Sequence, residues 1–78
     1  WCEIDIVARK ANRIYFVEVK YRKNSNQGSA LDYITPRKLK QMSFAAEMWV
    51  SGHEWLGEYQ LSAVVITGNI VEIIENLD

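Results

Sequence analysis

A strand that carries a carboxylate and an ammonium in its middle constrains this chain more than any other stretch. Residues 14–22 read Ile-Tyr-Phe-Val-Glu-Val-Lys-Tyr-Arg, and Ile14, Tyr15, Phe16, Val17, Val19 and Tyr21 are β-branched or aromatic. That is the composition of a buried strand. Side chains alternate in direction along a strand, so Glu18 and Lys20 share one face with Ile14 and Phe16. Charges set among apolar side chains are costly unless they are paired or engage a ligand. A structural ion pair on an edge strand is one resolution. A binding site is the other.

The preceding residues favour the site. Cys2–Ala8 (Cys-Glu-Ile-Asp-Ile-Val-Ala) reads as a second strand, with Glu3 and Asp5 on one face and Cys2, Ile4 and Ile6 on the other. Arg9–Arg13 is polar enough to form the turn of a hairpin. A register in which opposed positions sum to 23 places Asp5 opposite Glu18 and Glu3 opposite Lys20, about 4.5–5.5 Å apart at Cβ. A slip of one residue would send Glu3 and Asp5 to the opposite face. In the favourable register the carboxylates of Asp5 and Glu18 repel unless a cation lies between them. A divalent metal with oxygen ligands, Mg²⁺ or Mn²⁺, satisfies that need.

Seventy-eight residues suffice for one small domain, 1–78, with a modest core. No apolar run approaches the ~20 residues of a membrane helix, and no signal-peptide pattern is present. A lone Cys2 forms no internal disulfide, and one Cys with one His makes no zinc cluster. This usage points to a reducing cytoplasm and away from a membrane.

The net charge of −1 conceals a division. All nine Lys and Arg lie between Arg9 and Lys40, where residues 1–40 hold four acids, for a net +5; residues 41–78 hold six acids and no base, for −6. A basic region beside a carboxylate site suits an anionic polymer, with DNA expected ahead of RNA.

The remainder of the chain completes an α+β fold. Lys23–Ala30 is a polar loop, and Ser29 can cap a short turn over Ala30, Leu31 and Asp32. Thr35-Pro36 is a strong helix start, with Thr as N-cap and Pro at the first helical position. The helix is expected to run to about Ser51, before Gly52, with Leu39, Met42, Ala46, Trp49 and Val50 as its buried stripe. Arg37, Lys38 and Lys40 crowd its first turns against the helix dipole, which suggests a use elsewhere. His53 reads as a solvated loop residue. Tyr59–Ile66 and Ile70–Ile74 are strands flanking a Gly68-Asn69 hairpin signal. The order β-β-α-β-β implies a mixed four-stranded sheet with one main helix packed on it, and a third strand parallel to the second.

Glu3-Ile-Asp5-Ile-Val, Val17-Glu-Val-Lys20, Arg22, Gly28-Ser29 and Thr35-Pro-Arg-Lys38 together closely resemble the YraN-like family. These bacterial proteins are similar to Holliday junction resolvases and belong to the PD-(D/E)XK nuclease superfamily. The resemblance covers Glu3 to about Trp49 well and the last two strands loosely. It implies a restriction endonuclease-like core lacking its N-terminal helix, hence the C-terminal portion of a longer protein. Asp5 and Glu18 would be the metal-binding carboxylates, Lys20 the motif lysine, and Glu3 the family's preceding acid. Lys38 matches a basic residue on the helix. Ile4 precedes Asp5 in place of Pro, Cys2 stands where Gly is usual, and Ser62 where an acid is expected in the third strand.

The function these residues imply is metal-dependent endonucleolytic hydrolysis of DNA, including branched DNA. Asp5, Glu18, Lys20 and Glu3 are the candidate catalytic residues, Asp5 and Glu18 the metal ligands, with the Val19 carbonyl as a further donor. Lys20 would orient or deprotonate the water, or neutralise developing charge. Arg22, Lys23, Arg37, Lys38 and Lys40 are the candidate nucleic-acid contacts. Two alternatives belong to other classes: a nucleic-acid-binding module with a degenerate site, and a structural or protein-interaction domain that forms a homodimer through exposed aromatics.

Overall fold

Residues 4–23 and 28–77 are described by a computed structural model of the chain. Strands β1 (Ile6–Lys10) and β2 (Arg13–Arg22) form a hairpin; a 3₁₀ turn (Ala30–Tyr33) and helix α1 (Pro36–Gly52) follow; β3 (Glu58–Thr67) and β4 (Ile70–Ile74) form a second hairpin. The sheet order is β1-β2-β3-β4. β1 pairs antiparallel with β2 from Ile6↔Val17 to Lys10↔Arg13, so opposed positions sum to 23 as expected. β2 and β3 run parallel from Arg13↔Glu58 to Arg22↔Thr67, and β3 and β4 run antiparallel. The mixed α+β sheet is thus the one the sequence implies.

The first hairpin differs in one respect. Pairing continues through Arg9 and Lys10, and the turn contracts to Ala11-Asn12, with Ala11 at φ 55°. All five residues of β1 are exposed, so polar side chains at this sheet edge remain solvated without ending the ladder. At the other end Asp5 lies in a bend just before β1, and residues 1–3 fall outside the described region.

The helix starts where its cap dictates. Thr35 is extended, and its hydroxyl accepts from the Lys38 backbone N–H at 3.1 Å; Pro36 follows at the first helical position. The helix ends at Gly52, with His53 as C-cap. Met42 and Ala46 are buried against Ile14, Phe16 and Leu61, flanked by partly buried Leu39, Trp49 and Val50. Phe16 is fully buried and meets the rings of Trp49 at 5.5 Å and Tyr59 at 5.7 Å, both edge to face. Full burial of side chains this large contributes about 1.5–3 kcal/mol each, which makes this layer the main support of β2.

The paired rows identify what shares the helix face: Phe16 with Leu61, Glu18 with Ala63, Lys20 with Val65, and Arg22 with Thr67. The opposite face carries Gln60 and Ser62, both buried; Ser62 Oγ donates to the Glu75 carbonyl at 2.5 Å, and Gln60 Nε2 donates to the same oxygen. Arg13 donates to Gln60 at 2.6 Å and forms an ion pair with Glu58, and the hydrogen bond to the Glu58 carboxylate holds its guanidinium above the ordinary arginine range. Tyr21, Val71 and Ile73 are exposed on this second face.

Candidate metal-binding carboxylate site

The hairpin register, carried one step beyond Ile6↔Val17, sets Asp5 opposite Glu18. Asp5 Oδ2 accepts from the Val19 backbone N–H at 2.9 Å, and that amide is the one joining Glu18 to Val19. The carboxylate thereby takes the place of a carbonyl in the ladder at the point where β1 stops. In an antiparallel pair a residue directs its N–H and C=O to the same neighbour. The Val19 carbonyl is therefore directed to the side of Asp5, where β1 no longer covers it.

Glu18 is oriented by the helix. Its Oε2 lies 3.0 Å from Lys38 Nζ, with the two side chains 15% and 30% exposed. The Thr35 cap fixes the backbone of Lys38, so the sequence that starts α1 also delivers this ammonium to β2. Glu18 shares its face with Lys20 by the two-residue alternation of β2. Lys20 is exposed, and its Nζ lies 5.6 Å from the centre of the Tyr33 ring.

The remaining candidates divide. Lys23, Arg37 and Lys40 are exposed. Arg22 is not: its side chain is 4% exposed and bound to Thr67, Gly28 and Glu72. Glu3 lies outside the described residues. Ser62 pairs with Val17 and faces away from Glu18, so an acid at that position would not join this carboxylate pair. His53 stacks on Trp49 at 4.0 Å, and its Nδ1 lies 2.9 Å from the Trp49 carbonyl; it caps the helix far along the chain from the carboxylates.

Among the described residues no cluster of three or more His, Cys, Asp or Glu forms a ready metal cage. The chemistry of the donor set nevertheless fits a hard divalent cation: the Asp5 carboxylate just before β1, the Glu18 carboxylate on β2 and a backbone carbonyl beside them, all oxygen. Magnesium in particular uses few protein ligands and keeps several waters. Lys38 supplies a balancing charge to Glu18.

Two features were hidden from the sequence. Tyr33 lies against both Lys20 and Arg22, at 5.6 Å from each cationic group. Glu72 reaches Arg22 from the last strand at 3.3 Å. The available signal was the parity of Arg22 with Lys20, which places both on the helix face.

An antiparallel hairpin, a helical crossover and a parallel third strand define a small α+β domain, with Asp5 just before the first strand and Glu18 and Lys20 on one face of the second. The chain belongs to the uncharacterised protein family UPF0102, the YraN-like family, whose model matches residues 1–73. It is 36% identical over 66 residues to a UPF0102 protein of Cytophaga hutchinsonii, covering 85% of this chain and 58% of that protein. A UPF0102 protein of Vibrio parahaemolyticus is 33% identical over 78 residues, covering 95% of this chain and 64% of the relative. One from Yersinia pseudotuberculosis is 36% identical over 77 residues, covering 95% and 66%. The chain thus spans about three-fifths of the length of these relatives. Among the described residues, no helix is long and apolar enough to cross a membrane.

Proposed function

We propose that the protein is a metal-dependent endonuclease that hydrolyses phosphodiester bonds of DNA, branched DNA included. The observation that carries this reading is the convergence of Asp5 on the Glu18–Val19 amide, with Lys20 on the same strand. Membership in the YraN-like family supports it. Asp5, Glu18 and the Val19 carbonyl would hold Mg²⁺ or Mn²⁺. When bound, such an ion supplies charge to the phosphate and makes a water acidic enough to act as nucleophile.

The chain's own residues do the rest. Asp5 and Glu18 orient what binds between β1 and the helix start. Lys20 holds its ammonium where negative charge develops on the phosphate oxygens, or takes a proton from the attacking water. Glu3 precedes Asp5 by two residues and is proposed as a further acid of the site. Lys23, Arg37 and Lys40 are proposed to meet the phosphates flanking the scissile one, since they are exposed beside the end of β2 and the start of α1. Lys38 has a double role: it balances Glu18 in the metal-free protein and is available to phosphate once a cation takes over that charge.

The test is cleavage of labelled linear, single-stranded and four-way-junction DNAs, with an RNA control, in Mg²⁺ and in Mn²⁺. Metal-dependent cleavage by the parent, lost in Asp5→Asn, Glu18→Gln and Lys20→Ala with binding kept in the last, is the expected result. Cleavage that persists in all three variants overturns the assignment. The Lys38–Glu18 pair favours a second reading, a nucleic-acid-binding module whose site no longer turns over. That reading predicts salt-dependent DNA binding indifferent to Mn²⁺ and no cleavage of any substrate.

A further inference from the structure

Arg22 stands on the helix face of β2 with Glu18 and Lys20, yet it is tied down on three sides. Its Nε donates to Thr67 Oγ1 at 2.7 Å, at the end of β3. One terminal nitrogen donates to the Gly28 carbonyl, and the other lies 3.3 Å from Glu72 Oε1 on β4. Its guanidinium carbon lies 5.6 Å from the centre of the Tyr33 ring. With 4% of its side chain exposed, it is the most enclosed cation among the described ion pairs. A planar guanidinium meets acceptors in several directions at once, which a lysine ammonium on a flexible stem does not reproduce.

The segment it grips is itself well defined. Gly28 has φ +96°, and a Cβ there would collide with the Asp32 carboxylate. That carboxylate accepts from the Ser29 N–H at 2.9 Å, closing a capping box over the turn that ends at Tyr33. Tyr33 in turn presents its ring to Lys20 Nζ at the same 5.6 Å that separates it from Arg22. Glu72 occupies the cross-strand row of Lys20, with Val65 between them. Two strand spacings are about 10 Å at the backbone, a gap that long lysine and glutamate side chains can close. Arg22 thus both braces the ring beside Lys20 and engages the carboxylate that stands in its row.

We infer that Arg22 is a positioning residue: by clamping Gly28, Thr67 and Glu72 it holds the Tyr33 ring over Lys20 and fixes that ammonium on the carboxylate face. Its role is to order the site, not to contact phosphate. Any effect on turnover rests on the nuclease reading above; the clamp itself does not.

The experiment is NMR of the metal-free, substrate-free protein, with amide exchange measured in parallel. A ring over Lys20 displaces its ε-methylene protons upfield, a signature that a purely structural contact elsewhere would leave unmoved. The parent is expected to show that displacement, Tyr33→Phe to keep it, and Tyr33→Leu to lose it. Arg22→Lys is expected to lose it as well, with exchange at the Asp32 and Ile34 amides about tenfold faster, the loss expected from one or two hydrogen bonds. Thr67→Val and Glu72→Leu each remove one arm of the clamp and are expected to move both readouts the same way, so a poorly folded Arg22→Lys does not end the test. In a cleavage assay Arg22→Lys is expected to lower kcat about tenfold or more with KM within about twofold. Normal Lys20 shifts in the parent, or unchanged shifts and exchange in Arg22→Lys, overturn the clamp. A parent with the upfield signature but no cleavage overturns the nuclease reading alone.

Discussion

Lys38, in the first turn of α1, sets its Nζ 3.0 Å from Glu18 Oε2 at the middle of β2. The pair joins the two elements that frame the candidate site. It also sets a positive charge at the end of a helix where the dipole disfavours one, and the carboxylate offsets that penalty.

Removal of this ammonium should leave Glu18 partly enclosed and unbalanced. The pair is more sheltered than a surface ion pair and less so than a buried one, so Lys38→Gln is expected to cost about 1–2 kcal/mol. Denaturant unfolding of the two single variants and of Lys38→Gln/Glu18→Gln gives the coupling. A double variant no better than the sum of the singles would show that the contact contributes nothing. On the proposed metal reading Lys38 would compete with the cation for Glu18, so Lys38→Gln is expected to bind Mn²⁺ more tightly than the parent.

The cap that positions Lys38 can be probed separately. Thr35→Ala deletes the hydroxyl that accepts from the Lys38 N–H, and loss of such a cap costs about 1 kcal/mol. Thr35→Ser should be nearly neutral. Equal stability of Thr35→Ala and the parent in thermal unfolding would mean that another group satisfies that donor.

Much of the frame was legible from local signals. The sum-of-23 register was one pairing that two alternating strands allow, singled out because it sets Asp5 opposite Glu18; a one-residue slip would have sent Glu3 and Asp5 to the other face. Thr35-Pro36 fixed the start of α1, and Gly68-Asn69 the second hairpin. The first hairpin was legible only in part. Arg9 and Lys10 read as turn residues from polarity alone, whereas an exposed edge strand tolerates them and the turn sits at Ala11-Asn12. Arg22 was indistinguishable from a phosphate contact in the sequence, since its partners Thr67 and Glu72 lie 45 and 50 residues away. Lys38 reads as a phosphate contact for the same reason: its carboxylate partner is on another element.

Asp5 closes the ladder with a charge-assisted bond to Val19. Asp5→Ala leaves that N–H without its acceptor and is expected to lower stability by about 1 kcal/mol, given the solvent access of the site. Asp5→Asn keeps a carbonyl oxygen for the bond and should cost less. Amide exchange at Val19 checks this directly: fast in the alanine variant, slow in the asparagine variant. Equal protection in all three proteins would exclude the bond.

The exposed cations have a salt signature. Arg37→Gln/Lys40→Gln should weaken DNA binding across sequences and reduce the slope of log affinity against log salt by about two, near one per phosphate contact. Arg22→Gln, which removes the charge, should leave that slope unchanged, because the guanidinium is occupied within the fold. Anisotropy titrations at several salt concentrations separate the two. An unchanged slope in the double variant would place the substrate track elsewhere.

The central claim is that Asp5 and Glu18 together take a divalent cation. Paramagnetic Mn²⁺ broadens amide signals according to their distance from the bound ion, so titration of the isotope-labelled protein at sub-stoichiometric Mn²⁺ locates the site residue by residue. Asp5, Glu18, Val19 and Lys20 are expected to broaden first in the parent, and Asp5→Asn and Glu18→Gln each to abolish the selectivity. Uniform broadening in the parent, or broadening centred on the acids of residues 41–78, would contradict that claim.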